Sequence, residues 1–264
     1  MKKIACLIAV VLCAACARPE LVILHTNDTH SHLEPVRGGS EDGLGGVLER
    51  AAFIDSVRNA CGEENVLLLH AGDFNQGSSY FSEFGGIVEV DLVNALRYDC
   101  LTLGNHELDN GLEDLFERIK RIESPVVCAN IDFSPFGMDE YIKPYVILQK
   151  AGRRIGIIGL EANLEGMISR TTYDRISQIP ADEAVNRWSS EIRDSTDFLI
   201  VLSHQGYEED HQLAALTHGV DLIIGGHSHT FVEDIDYVKD ADGRKVGIVT
   251  DGCWGLQMGM VRVR

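Results

Sequence analysis

The chain has 264 residues, of which 45% are hydrophobic and 24% charged, and its formal net charge is −18. That length is ample for a core and for one large domain. The acidic balance argues against a nucleic-acid polymer or an anionic lipid surface as an electrostatic partner, but not against a small phosphorylated substrate, because bound metal ions invert the local field.

The first residues, MKKIACLIAVVLCAAC, carry two lysines, an apolar stretch too short to span a bilayer, and then small residues. They read as a secretory signal over 1–15. Leu12-Cys13-Ala14-Ala15-Cys16 resembles a bacterial lipoprotein processing site, with Cys13 where leucine is usual. Cys16 is then the lipid-bearing first residue of the mature chain, 16–20 a short tether and 21–264 one domain. The expected location is outside the cytoplasm, as a periplasmic or outer-membrane lipoprotein held to the membrane by its lipid.

Short apolar, β-branched runs follow at 21–28, 65–73, 99–105, 125–131, 145–149, 154–160, 197–204, 220–227, 246–252 and 258–264. Amphipathic stretches at 44–60, 86–97, 111–121, 182–194 and 208–217 separate several of them. Runs apolar at consecutive positions suggest strands buried on both faces, and the alternation predicts an α/β fold with two packed sheets between outer helices. Cys61, Cys100, Cys128 and Cys253 fit no disulfide framework or metal spacing. Cys100 and Cys128 read as small core hydrophobes.

Five of the strands run into polar residues: Asp28-Thr29-His30, Gly72-Asp73, Gly104-Asn105-His106-Glu107, His204, and His227-Ser228-His229. Sites in α/β sheets gather at the carboxyl ends of strands. In extended backbone, residues two apart point to one side, so Asp28 with His30, and His227 with His229, can each face one centre. The candidate metal ligands are Asp28, His30, Asp73, Asn105, His204, His227 and His229. Two carboxylates, an amide and four imidazoles suit Mn, Zn, Fe or Co better than Ca. Seven ligands exceed one tetrahedral site, whereas two ions roughly 3.5–4 Å apart would use them all, with Asp73 as the natural bridge. His25, His32, His70, His211 and His218 match no ligand position, and Gly72, Gly104, Gly225 and Gly226 read as strand-end turns.

In this order, the segments DTH, GDFNQG, GNHELD, SH and GGHSH resemble the calcineurin-like metallophosphoesterases, and HTNDTHSH with GNHELD is most similar to the secreted 5′-nucleotidase and UDP-sugar hydrolase branch. The resemblance covers 21–264. It implies a four-layer α-β-β-α sandwich, two mixed sheets flanked by helices, with a dinuclear site at the sheet edge. It places Asp28, His30 and His229 on one metal, Asn105, His204 and His227 on the other, and Asp73 between them. His229 stands where many nucleotidases carry an amide. His106 matches the catalytic histidine, Asp109 matches the carboxylate that orients it, and Asn105 and His106 would contact substrate. The alternative for Asp109 is to cap a helix beginning near it.

The implied chemistry is hydrolysis of a phosphate monoester by a metal-bridged hydroxide, with a nucleotide as the expected substrate. Nucleotidases of this branch carry a further domain that stacks the base between aromatic rings. No match to it is found before Arg264, which leaves two expectations: a separate nucleoside-binding chain as partner, or a chain that acts alone on simpler phosphate esters with poor selectivity. A second reading is a phosphodiesterase or pyrophosphatase acting on cyclic nucleotides or UDP-sugars. A third, of another class, is a non-catalytic metal- or phosphate-binding lipoprotein, which the presence of both His106 and Asp109 disfavours.

Overall fold

The computed structural model describes residues 18–264. The signal at 1–15, the lipidation site Cys16 and the start of the tether lie outside the described residues. In chain order the elements are β1 (Leu21–Thr26), α1 (Val47–Cys61), β2 (Val66–His70), α2 (Ser79–Phe84), α3 (Ile87–Leu96), β3 (Cys100–Thr102), α4 (Leu112–Ile119), β4 (Val126–Val127), β5 (Ile131–Asp132), β6 (Ile142–Lys143) and β7 (Tyr145–Lys150). They continue with β8 (Arg153–Glu161), α5 (Arg170–Tyr173), β9 (Ser177–Gln178), α6 (Ala181–Ile192), β10 (Phe198–His204), α7 (Tyr207–Leu216), β11 (Leu222–Ile224), β12 (Asp236–Lys239), β13 (Lys245–Val249) and β14 (Gly259–Val263).

Among the described residues, two six-stranded sheets run in the orders β14-β1-β2-β3-β4-β6 and β12-β13-β11-β10-β8-β7, with a small β5-β9 pair outside them. The central strands are parallel, and β14, β12 and β7 join as antiparallel edge strands. Both sheets are therefore mixed.

Alternation along each strand builds the layers. Leu21 and Ile23 of β1, with Leu67 and Leu69 of β2, face Ile155, Ile157, Ile200 and Leu202 of the other sheet. The intervening Val22, Leu24 and Leu68 turn outward to Ile54, Val57, Val90 and Val93 on α1 and α3. On the far side, Ile158, Leu199 and Val201 meet Ala184, Val185 and Leu213 of α6 and α7. The result is the four-layer α-β-β-α sandwich. Every expected strand and helix has a counterpart. The strands without a sequence signal are two-residue pieces (β5, β6, β9) and the edge strand β12, whose side chains are mostly exposed.

Candidate metal centre at the sheet edge

The carboxyl ends of β1, β2 and β3 in one sheet, and of β10 and β11 in the other, open onto a cavity of about 400 Å³. His30, Asp73, Asn105, His106, His227 and His229 line it, together with His32, Gln76, Gly77 and Trp254. Asp28 and His204 are fully buried beneath. Ligand atoms of Asp28, His30 and His229 converge within 4.8 Å, as do those of Asp73, His204 and His227, and those of His30, Asp73 and His106.

The two loops that follow β1 and β2 stay zipped together beyond the sheet. Asp28 N–H donates to Gly72 O, His30 N–H to Asp73 O and Ser31 N–H to Phe74 O, each at 3.0 Å. This pairing holds the backbone in the left-handed region at Asp28 (φ 47°), His30 (φ 46°) and Asp73 (φ 55°), and His227 (φ 74°) and His229 (φ 53°) share it. The extended-chain argument for the Asp28/His30 and His227/His229 pairs is therefore corrected. β1 ends at Thr26 and β11 at Ile224, and the pairs face the cavity through left-handed turns. Such conformations are rare outside glycine, although Asp and His tolerate them better than most, and each costs of order 1–3 kcal/mol.

Glycines act here in two different ways. Gly72 needs its positive φ of 85°, and a Cβ there would sit 2.6 Å from His204 Nδ1. Gly104 is ordinary extended backbone (φ −122°), not a turn. Its missing side chain makes room for Asp73, whose backbone N would lie 2.5 Å from a Cβ.

Hydrogen bonds at the outer nitrogens orient the imidazoles. His204 Nδ1–H donates to Ala71 O at 2.7 Å, and His30 Nδ1 faces Asn75 O at 3.3 Å. Their Nε2 atoms therefore turn inward, with His204 Nε2 3.0 Å from Asp73 Oδ2 and His30 Nε2 2.9 Å from His229 Nε2. Asp28 Oδ1 lies 3.5 Å from His229 Nε2 and 3.7 Å from His30 Nε2. His227 N–H donates to the Asp28 carboxylate, and so does Asn27 Nδ2 at 2.7 Å.

The charges fit a cation site. Burial alone would raise the Asp73 carboxyl, but His204, His30 and His106 hold it well below the usual range. Burial opposes an imidazolium at His204, yet Asp73, Asp28 and Glu161 hold it well above normal. The Asp28 hydrogen bond, with Cys253, pushes His229 up to about 10. Burial pulls His30 and His227 down. Protonated imidazoles thus neutralise two buried carboxylates, a role that divalent ions would take over with release of protons. Asn105 Oδ1 and His227 Nδ1 are buried without a hydrogen-bond partner, which a buried polar atom avoids unless it has another ligand. The donor set therefore fits two divalent metals. Asp73 belongs to both the His30 group and the His204/His227 group.

His106 stands beside this cluster. Its Nδ1 is 2.8 Å from Asp109 Oδ2, and that hydrogen bond raises the histidine's pKa against the opposing effect of partial burial. Its backbone N–H donates to Asp73 Oδ1 at 2.9 Å. Asp109 does not cap the following helix, since α4 begins at Leu112 with Gly111 as its N-cap.

His25 and His70 take structural places. His25 is buried, with Nδ1 2.6 Å from Asp251 Oδ2. His70 contacts Thr29 Oγ1, and burial lowers its pKa to about 3, so it is neutral. Cys61, Cys100, Cys128 and Cys253 are free thiols. Sequence reasoning named Glu107 and His32 without giving either a role, and passed over Trp254. Glu107 is fully buried and accepts from Asp73 N, Gly104 N and Asn75 N at 2.8, 2.7 and 3.1 Å. Trp254 follows the polar end of β13, TDGCW, and the rule applied to the other five strand ends would have found it.

Residues 21–231 match the family model described as calcineurin-like phosphoesterase. A snake venom 5′-nucleotidase from Naja atra is 34% identical over 268 residues, covering 92% of this chain and 50% of its own. A 5′-nucleotidase precursor from Thermus thermophilus superposes with a TM-score of 0.86 at 34% identity, over 93% of this chain and 51% of that one. An NAD nucleotidase from Haemophilus influenzae gives 0.82 at 27%, over 92% and 47%. The chain thus spans about half the length of the curated relatives it matches. With that match and this fold, the chain belongs to the calcineurin-like metallophosphoesterases and carries the domain it shares with the 5′-nucleotidases of that family.

Proposed function

We propose that the chain hydrolyses phosphate monoesters at a dinuclear metal centre, with nucleoside 5′-monophosphates as its substrate class. The observation that carries this reading is the meeting of Asp28, His30, Asp73, His204, His227 and His229 at one rim, with the His106–Asp109 pair beside them. Asp28, His30 and His229 would hold one ion, Asn105, His204 and His227 the other, and Asp73 both. Two divalent ions of the Mn, Zn, Fe or Co kind would supply an activated water and neutralise the phosphoryl oxygens.

The chain's own residues then have defined tasks. Asp28, Asp73 and Asn105 bring oxygen donors, and the hydrogen bonds at His30 Nδ1 and His204 Nδ1 keep each Nε2 lone pair aimed inward. Asp109 holds His106 Nδ1, which leaves Nε2 to steady a phosphoryl oxygen together with Asn105, or to give a proton to the departing alkoxide. Asp109 also favours the protonated ring that this task needs.

His106→Ala tests the assignment. Metal content by mass spectrometry should stay at the wild-type value while turnover of an aryl phosphate falls about 10²–10⁴-fold. Unchanged turnover removes His106 from the mechanism. A second reading, cleavage of a pyrophosphate, is favoured by the likeness to an NAD nucleotidase. A panel of AMP, a cyclic nucleotide, a UDP-sugar and an aryl phosphate separates the two.

The setting belongs to the same proposal. The apolar leader and Cys16 support export and lipid anchoring, which Cys16→Ser should abolish in a fatty-acid labelling experiment. Part of the nucleoside recognition would come from a separate chain. Such a partner should co-purify with this one and lower its KM for AMP, and binding without that effect ends the idea.

A further inference from the structure

We propose that Trp254 is a stacking platform for a planar aromatic ring in the leaving group of the substrate, which makes it a specificity-determining residue. The inference rests on reading the neighbouring cavity as a phosphoester site.

Trp254 lines that cavity together with His30, Asp73, His106 and His229. One face of the indole lies on the His32 imidazole, with ring centroids 4.9 Å apart and planes 20° from parallel. The residue still keeps 38% of its surface exposed. Stacking on His32 leaves part of a large apolar ring uncovered at the cavity.

The backbone makes the point sharper. Trp254 has φ 61°, a left-handed conformation that a bulky residue adopts at a cost and that Gly or Asn would adopt more readily. Its N–H donates to Asp28 O at 2.6 Å, which ties the ring to the loop that presents Asp28 and His30. The next residue, Gly255 (φ 60°), lies against Arg50, and a Cβ there would meet Arg50 Cζ at 2.9 Å. Arg50 is itself buried beside this turn. A strained, anchored, half-exposed indole beside a candidate metal centre is a preorganised surface. Strain of this kind concentrates at ligand sites. A flat π-face accepts any planar aromatic ring by stacking, and a nucleobase and a simple aryl group both meet that requirement.

The test uses the full chain loaded with manganese, in wild-type, Trp254→Ala and Trp254→Phe forms. The readout is the ratio of kcat/KM for AMP, and for p-nitrophenyl phosphate, to that for glycerol 2-phosphate. Trp254→Ala should lower at least one ratio about 10-fold, and Trp254→Phe should restore most of it. A fall for AMP identifies the ring as a nucleobase, and a fall for p-nitrophenyl phosphate alone identifies a simple aryl group. Unchanged ratios for both overturn the proposal while leaving the phosphoesterase reading intact.

A second measurement needs no turnover. Adenosine or a phenyl riboside should quench indole emission of the metal-free wild-type chain and leave Trp254→Phe, which retains Trp188 as its tryptophan, unaffected. Quenching without hydrolysis of any ester would keep the platform and sink the phosphoesterase reading. No quenching by either compound counts against the platform.

Discussion

Glu107 is the residue whose replacement should reveal how the two loops that present the candidate metal ligands are held. Its carboxylate is buried and its two oxygens accept three backbone N–H groups: Asp73 and Gly104 on Oε2, and Asn75 on Oε1. Glu107→Gln keeps the shape. The amide oxygen does best at the Oε2 position, which retains two of the bonds and turns the amide NH₂ against Asn75 N–H. One buried N–H then lacks an acceptor, at about 1–3 kcal/mol, and the other two bonds lose charge assistance, at about 1 kcal/mol each. A total of about 3–5 kcal/mol is large beside the 5–15 kcal/mol that holds a typical domain together, yet the chain should still fold. Burial, with Asp73 adding to it, pushes Glu107 up to about 7, so at pH 8.5, where the carboxylate is ionised, Gln also relieves about 3 kcal/mol of ionisation cost and the net loss falls to about 0–2 kcal/mol. Urea unfolding followed by circular dichroism should give that loss in the metal-free protein. Manganese titration should show affinity weakened about 10–100-fold, as for other groups that support metal ligands. Wild-type stability together with wild-type manganese affinity would refute the reasoning.

Three further outcomes follow from the same geometry. Gly104→Ala places a methyl group against the Asp73 side chain and backbone, so bound metal should drop sharply while the far-ultraviolet spectrum stays native, and full metal occupancy would contradict it. Asp109→Asn should cut turnover about 10²-fold at unchanged metal content. It should add nothing once His106 is Ala, because the pair acts as a unit; additive losses would separate the two residues. Asp210 is buried, with Oδ1 accepting from Ser203 Oγ at 2.6 Å and Oδ2 unpartnered. Burial, only partly offset by Ser203 and His204, pushes it up to about 7. The folded state then keeps a proton that the unfolded chain releases above about pH 4, so stability should fall by about 4 kcal/mol as pH rises from about 4 to 7. Asp210→Asn should flatten that slope in urea melts across the range, and a persisting wild-type slope would point to other groups.

Most of the layered fold was legible because it is written in residue type. β1 reads LVILHT, and its alternate side chains serve two different layers, Leu21 and Ile23 toward the facing sheet and Val22 and Leu24 toward α1 and α3. A run apolar on both faces can sit only in the middle of such a stack. The short strands β5, β6 and β9 carry no such signal. They are held by pairing with neighbours that sequence order alone does not reveal.

The site was legible to the extent that its parts announce themselves chemically, and opaque where backbone does the work. Asp28, His30, His227 and His229 could be singled out as donors at strand ends, and the spacing of two suggested that each pair shares a direction. The pairs do share one, through left-handed turns rather than strand alternation. A spacing of two is therefore weak grounds for extended geometry once the strand has ended. The turns hold because the β1 and β2 loops bond to one another residue by residue and because Glu107 gathers three N–H groups from the β2 and β3 loops. Except for the Glu107 carboxylate these partners are main-chain groups, so no pattern of residue types marks them. Glu107 looked like one more polar letter in GNHELD. Trp254 shows the converse case. Its identity was visible, but its meaning comes from a strained φ and a close Arg50, which turn an exposed aromatic into a fixed surface. The chemistry of this rim is spelled by side chains, and its precision comes from main-chain contacts, so substitutions at Gly104 and Glu107 should disturb the metal site as much as substitution of a ligand does.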